Sequence, residues 1–412
     1  MSATLTSQIN STLNSIFQEA HMNFNIFQKK KSSEYSALQL MMEPSWSRRD
    51  YVSFAEEGYI KNVIAFRAIN MIASAASSVP FTLCQLTDQG KSQLKAHPLL
   101  KLLYSPNPMT SKSEFIEGIV TYRLVNGNSY ILMIELQNKP TELYLLRPDR
   151  VEIVPGRNNI PYIYRYTVNN NSYDFKVDKL TGRSTVLHLK TFNPLSDWYG
   201  LSPIEAAAYS IDQHNQAGAW NQAMLQNGAR PSGAIVVKSE KDGSGGNLSQ
   251  EQYQRLKAQI NDHYSGPVNA GRPILLEGGL EWKEMSLSPR DMDFIESKHS
   301  SARDIALAFG VPPQLLGIPG DNTYSNLVEA RLSLWEQTVL PTLENIVCHL
   351  NSWLTPKFGE DLCLSYDKDA IEILMEKRQK MWKYVENANF MTLNEKREAF
   401  GLPPLPDDIL KA

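Results

Sequence analysis

From Ile60 onward, apolar residues recur three or four positions apart: Ile60, Ile64, Ala68, Met71, Ile72, Ala75 and Val79. That spacing predicts an amphipathic core helix across "VIAFRAINMIASAASSVPF". Arg67 and Asn70 interrupt the stretch, which therefore falls short of the roughly 18 consecutive apolar residues a membrane span needs. Next, "SPNPMTSKSEFIEGIVTYRLV" carries Ser111 and Glu114 at capping-box spacing, so a helix follows. The period then changes to alternation. "NGNSYILMIEL", "ELYLLRPDRVEIV", "PYIYRYTV" and "STVLHLK" are rich in β-branched and aromatic residues and predict strands, which makes this half α+β.

The segment "LSPIEAAAYSIDQHNQAGAWNQAMLQNG" is built differently. Ser202 stands as N-cap, Pro203 at the first helical position and Glu205 as the closing member of a capping box, with Asn227 and Gly228 as the stop. One long helix is expected, rich in Ala, Gln and Asn and without a wide apolar stripe, so that its small residues pack against a neighbour. A compact insertion follows: the strand-like "RPSGAIVV", the glycine-rich "SEKDGSGGN", a helix from Ser249 and the strand-like "RPILLEGGLEWKEM". Ser288 and Pro289 open another helix. Its residues Met292, Ile295, His299, Ala302, Ala306 and Phe309 form a narrow seam, as in a helix lying beside parallel copies of itself. After a breaker loop come a long amphipathic helix, "NLVEARLSLWEQTVLPTLENIVCHLNSWL", and two final helices, the second capped by Thr392 and Glu395.

The length of 412 residues exceeds what one core usually supports, so more than one packed region is expected. At 42% hydrophobic and 21% charged, the composition is that of an ordinary folded chain. A net charge of -3 argues against tight, non-specific gripping of nucleic acid, which draws its affinity from phosphate neutralisation. Cys84, Cys348 and Cys363 form no CxxC pair and stand far apart, pointing to a reducing compartment and away from a disulfide framework. The N-terminus lacks the pattern of a secretory signal, so synthesis and assembly in the cytoplasm are expected.

Little in the sequence suggests catalysis. It contains no phosphate-binding Gly-Lys-Ser/Thr loop, dinucleotide fingerprint, HExxH or GxSxG, so no catalytic residue, cofactor or metal is assigned. Asp291, Asp293, Glu296 and His299 make the densest polar cluster and support one rival reading, a metal-dependent nucleic-acid-processing enzyme. Di-metal helical bundles need two Glu-x-x-His motifs, and this chain has one. His188 reads as a structural histidine on a strand, Asp367 and Asp369 as a turn, and Trp335 and Trp353 as core.

The loop "FGVPPQLLGIPGDNTYSN" is the most unusual stretch. Its prolines force an extended exit from the preceding helix, and Gly317 and Gly320 permit sharp reversals. Its later residues are polar and carry a single negative charge, which suits transient contact with a polyanion.

Taken in order, "NGNSYI", "LLRPDRV", "YGLSPIEAA", "NGARPSG", "EGGLEW", "FGVPPQLLG", "NTYSN" and "TLNEKREAFGLPP" resemble the portal proteins (head-tail connectors) of tailed double-stranded DNA phages, in the form shared with long-tailed phages and gene transfer agents. The likeness runs from about Tyr59 to Pro404. It implies an α+β portal fold with a flexible tail (1–35), a wing (36–200), a first stem helix (201–228), an α/β clip insertion (229–286) and a second stem helix (287–310). A tunnel loop (311–326), a helix and strand returning to the wing (327–370) and a helical crown (371–412) complete it. It further implies a homo-oligomeric ring, a dodecamer, at one capsid vertex of the virion. Double-stranded DNA would pass through it without sequence preference, touching Gly320, Asp321, Asn322, Thr323, Tyr324, Ser325 and Asn326. The implied protein partners are the terminase large subunit, the major capsid and scaffold proteins and a head-completion or tail adaptor protein. Met292, Ile295, His299, Ala302 and Ala306 would then form the stem packing seam, and no membrane is involved.

Overall fold

The computed structural model describes residues 47–87, 90–157, 160–226, 233–237, 249–264, 280–284, 294–320, 324–399 and 405. The tail and the glycine-rich turn of the insertion lie outside the described residues, as do Ser288, Pro289 and the chain's last residues.

A helical turn, Tyr51–Ser53, and a π-helical turn, Phe54–Ile60, lead into helix α1 (Val63–Ser78). Asn62 caps α1, its Oδ1 accepting from Ile64 N and Ala65 N at 3.1 and 3.0 Å. The buried face of α1 is Ala65, Ala68, Ile69, Ile72, Ala73 and Ala76, with Ser77. Ile60 is a correction: it belongs to the preceding turn and is 71% exposed, because the π turn advances the chain and rotates this position off the face.

Strands β1 (Phe81–Thr87) and β2 (Gly90–Leu94) follow, then helices α2 (Pro98–Tyr104) and α3 (Lys112–Asn126). The capping box at Ser111 and Glu114 forms in both directions. Strands β3 (Asn128–Leu136), β4 (Lys139–Leu146), β5 (Val151–Pro155), β6 (Pro161–Val168), β7 (Asn171–Lys176) and β8 (Val186–Lys190) build two antiparallel sheets, ordered β4-β3-β8 and β5-β6-β7.

Helices α4 (Pro203–Ala206) and α5 (Ala208–Gln226) come next. The single helix expected over 201–228 is corrected here: Ala207 adopts φ -90°, ψ 4° and breaks it. Ser202 caps α4 through Ile204 N, whereas the expected return bond, from Ser202 N–H to the Glu205 carboxylate, is not formed. In the insertion, β9 (Gly233–Val237) pairs antiparallel with β10 (Leu280–Glu284), and α6 (Gln250–Tyr264) lies between them in sequence. Ser249 Oγ accepts from Gln252 N at 3.2 Å, and Ser249 N donates to Gln252 Oε1 at 2.9 Å.

Helix α7 (Phe294–Ala308) leads back into the body. Helix α8 (Tyr324–Leu334), a π turn (Trp335–Val339) and α9 (Leu340–Trp353) form one continuous run. Trp353 is buried and its Nε1 donates to Ser184 O at 2.8 Å; Trp335 packs half-buried at the edge of the core. Strand β11 (Leu362–Tyr366) pairs antiparallel with β1, giving a third sheet ordered β11-β1-β2. Asp367 then accepts from Asp369 N in a tight turn, and helices α10 (Glu372–Glu386) and α11 (Leu393–Ala399) follow. Thr392 and Glu395 cap α11 reciprocally.

One core unites these pieces. Ile69 and Ile72 of α1, Phe115 and Ile119 of α3, Leu83 of β1 and Ile305 of α7 share it with Leu343, Ile346 and Leu350 of α9. A second cluster, around Tyr130, Ile153 and Tyr164, lies between the sheets of the body. Among the described residues no helix is long and apolar enough to cross a membrane.

Candidate functional site

Two glycines fix the junction from which the first long helix departs. Helix α3 ends at Gly127 in the left-handed region, φ 79°, its N–H donating to Arg123 O. Gly200 lies so close that a Cβ on it would stand 2.1 Å from Gly127 O. Thr191 N donates to Gly127 O at 2.9 Å, and Asn128 Oδ1 accepts from Gly200 N at 2.7 Å. Ser202 Oγ donates to the final-turn carbonyls Leu124 O and Val125 O at 2.9 and 2.8 Å while accepting from Ile204 N at 3.0 Å. One hydroxyl, its single proton shared between two carbonyls, thus ties the C-terminal end of α3 to the N-terminal end of α4. The stretches "NGNSYI" and "YGLSPIEAA", which sequence reading treats as separate marks, are two halves of one joint.

His188 belongs to the same joint. Its Nε2 donates to Asn128 Oδ1 at 3.0 Å, a carbonyl oxygen that also accepts from Gly200 N. The ring stacks on Tyr130 at 4.4 Å and meets Tyr164 edge-on at 6.0 Å. Although half-buried by area, the ring is enclosed by these neighbours, and burial pushes its pKa down to about 3, with Lys190 and His349 adding to the effect. It is therefore neutral and structural at ordinary pH.

The paired long helices α5 and α7 are rooted in the body and emerge from it. On α5 the buried residues, Ala208, Ile211, Asp212 and His214, all lie in the first two turns. Asp212 accepts from Ser47 N at 3.2 Å and from Ser47 Oγ at 2.6 Å. Asn62 Nδ2 donates to Asn215 Oδ1 at 3.0 Å and lies 3.3 Å from His214 Nδ1, so the cap of α1 also holds α5. Asn62 is fully buried; its place directly before Val63 signals a helix cap, but nothing local reveals its bond to α5. Beyond Asn215, α5 is open or half-open to its last residue. Helix α7 runs the other way: Ile295 is 73% exposed, while Ser301, Ala302, Ile305 and Ala306 are buried. Ser301 and Gln213, and Ser210 and Asp304, bridge the two helices at 3.3 Å each.

The expected packing seam is therefore divided. Met292 lies outside the described residues, Ile295 is open and His299 is half-buried. Ala302 and Ala306, 3% and 0% exposed, pack with Ile318, Ile64 and Leu316 inside the same chain. Three-and-four spacing reveals that a face exists, not which molecule covers it.

The breaker loop also divides. Gly310 is left-handed at φ 65°, with Val311 N donating to Ala306 O and Gly310 N to Leu307 O, the paired bonds of a Schellman stop. Thr338 Oγ1 donates to Gly310 O at 2.6 Å and ties the stop to the late helix run. Pro313–Leu316 form a 3-10 turn ended by Gly317 at φ 72°, while Val311 and Ile318 are buried. Val311 and Ile318 thus anchor this part of the loop to the body, with Leu315 and Leu316 packed half-buried between them in sequence. Arg303 Nη2 donates to Pro319 O at 2.8 Å, and Gly320 is exposed without the left-handed backbone expected of it. Asp321, Asn322 and Thr323 lie outside the described residues. Tyr324 and Ser325 begin α8 and are not loop, and Asn326 is exposed in its first turn.

Of the rival metal cluster, Asp291 and Asp293 lie outside the described residues, Glu296 is exposed and His299 is half-buried. Among the described residues no three His, Cys, Asp or Glu side chains converge on one point.

The model of the family described as phage portal protein matches residues 64–401. An uncharacterized protein of Rickettsia felis is 50% identical over 350 residues, covering 85% of this chain and 89% of that protein. The portal protein of Enterobacteria phage HK97 is 25% identical over 369 residues, covering 86% of this chain and 82% of its own. A chain in the neck of a native gene transfer agent particle, computed with C12 symmetry, is 41% identical and superposes with a TM-score of 0.65, covering 88% of this chain and 96% of that one. A family match across most of the sequence, joined to likeness over nearly the whole of that neck chain, makes this chain a member of the phage portal protein family.

Proposed function

We propose that copies of this chain form the portal ring of a phage or gene transfer agent particle, a dodecamer through which duplex DNA enters and leaves. The observation that carries this reading is the family match over residues 64–401, and the C12 symmetry of the similar neck chain supports the number. The family is structural, and the fold suits that role: a pair of helices rooted in a rigid body by Asn62, Asp212 and Ser202, with their far ends left open for neighbouring copies. The terminase large subunit would dock on the insertion formed by β9, β10 and α6, which the head-completion or tail adaptor protein would later occupy. Capsid and scaffold proteins would surround the body, and assembly would take place in the host cytoplasm.

The exposed tip after Ile318 would face the channel. A conduit has to let a polyanion slide, and strong phosphate contacts would create wells that stall it. Gly320 to Asn326 contain one carboxylate and no cation, consistent with low friction.

Native mass spectrometry with negative-stain imaging tests the ring directly. Twelve-fold rings with a central channel are expected, and a chain that remains monomeric with capsid and scaffold proteins present contradicts the proposal. For the tip, the double substitution Asn322→Ala with Tyr324→Ala is expected to leave ring yield unchanged while packaged or retained DNA falls. If the rings themselves fail to form, the tip is a connector.

A further inference from the structure

Cys84 and Cys363 are far apart in sequence, yet they are direct register partners on β1 and β11. The hydrogen bonds at the ends of this ladder fix its phase. Asp367 N donates to Pro80 O at 2.9 Å, and Leu86 N donates to Asp361 O at 2.7 Å. Antiparallel pairs alternate, so every second pair from these is hydrogen-bonded, and 84 with 363 is one of them. Opposed Cα atoms in such a pair stand about 5.5 Å apart, within the range a disulfide spans, and closing the bridge draws the two Cβ atoms in by about 1 Å.

Both side chains point the same way. Phe81, Leu83, Leu364 and Tyr366 occupy the core face of the sheet, so the alternate residues Cys84 and Cys363 occupy the other. Both are half-exposed and unbridged, and Cys84's neighbour on β2, Gln93, is exposed, so a small oxidant reaches them from solvent. Cys348, on α9, is exposed and has no such counterpart in register.

We propose that Cys84 and Cys363 are a thiol–disulfide site that closes into a cross-strand bridge in an oxidising medium. The co-reactant is a small disulfide of the glutathione class. The thiolate of one cysteine attacks a sulfur of that disulfide, whose S–S bond breaks and releases one thiolate. The second cysteine then attacks the protein sulfur of the mixed disulfide, expelling the other half. Two protein thiols lose two electrons, the small disulfide gains them as two thiols, and the two cysteine protons pass to the released thiolates. In a reducing medium the equilibrium runs back. The closed bridge ties β1, which directly follows the core helix α1, to the strand that leads into the C-terminal helices. This site rests on strand register alone and stands whether or not the chain forms a ring.

The test equilibrates the full, natively folded chain in glutathione and glutathione disulfide mixtures, quenches with acid and labels the remaining thiols with a maleimide. On oxidation the labelled cysteines are expected to fall from three to one, Cys348, with a non-reduced digest yielding a single linked pair containing Cys84 and Cys363. Cys348→Ser should leave that bridge unchanged. Cys84→Ser should lose it, together with the rise in melting temperature that oxidation brings to the unmodified chain. Glutathione remaining singly on either cysteine, a bridge that runs only through Cys348, or equal bridging in urea-unfolded chain would each overturn the proposal.

Discussion

Gly127→Ala strongly destabilises the folded protein. The left-handed backbone at this position costs an L-residue about 1–2 kcal/mol. The added Cβ would also stand 2.5 Å from Gly200 O and 2.7 Å from Leu201 C, atoms of backbone that no rotamer change can move. The joint has to open, and with it go the bonds from Thr191 N to Gly127 O and from Gly200 N to Asn128 Oδ1, each worth about 1 kcal/mol. A total loss of about 4 kcal/mol or more is expected, a large share of what a domain has. Gly200→Ala should match it. Gly218→Ala is the control: nothing lies within 4 Å of its Cβ, and alanine in mid-helix should stabilise by about 0.5–1 kcal/mol. Urea unfolding of the three variants decides the matter, and an unchanged midpoint for Gly127→Ala would show that the joint is not rigid.

Acid should weaken the same joint through His188. In the unfolded chain this imidazole takes up a proton near pH 6.5, whereas the folded chain resists it until about pH 3. Between those values the unfolded state binds more protons, so stability is full above pH 6.5 and falls as pH drops, by about 1.4 kcal/mol per pH unit. His214 and His349 are displaced in the same direction by burial, with Lys298 and Arg123 respectively contributing. Their contribution is common to the unmodified chain and to His188→Gln, so the comparison isolates His188. His188→Gln is expected to be less stable at pH 7.5 but to lose less on going to pH 5. Urea midpoints that shift in parallel would remove His188 from this account.

What the sequence made legible was whatever a few adjacent residues decide. Ser111 with Glu114 and Thr392 with Glu395 announce their helices because each cap closes on its own first turn. The strands around Ile131 and Tyr164 announce themselves by alternation. Features created by distant segments stayed hidden. Ala207 breaks a sequence with high helical propensity, five residues after Ser202 is tied to the end of α3. Ala302 and Ala306 have the spacing of an intersubunit seam, but Ile318 returns from the loop to cover them. Cys84 and Cys363 look unrelated until β11 comes home to β1.

That homecoming bears on how the chain is made. Strand β1 has β2 on one side from the outset, but its other edge is completed only by Leu362–Tyr366. A ribosome must therefore release nearly nine-tenths of the chain before the sheet can close, and Phe81 and Leu83 lack their final cover until then. Non-local pairing of this kind folds slowly and leaves a sticky edge open during synthesis. Truncation anywhere before Leu362 is therefore expected to yield not a smaller working piece but an aggregating one, because the edge of β1 stays open.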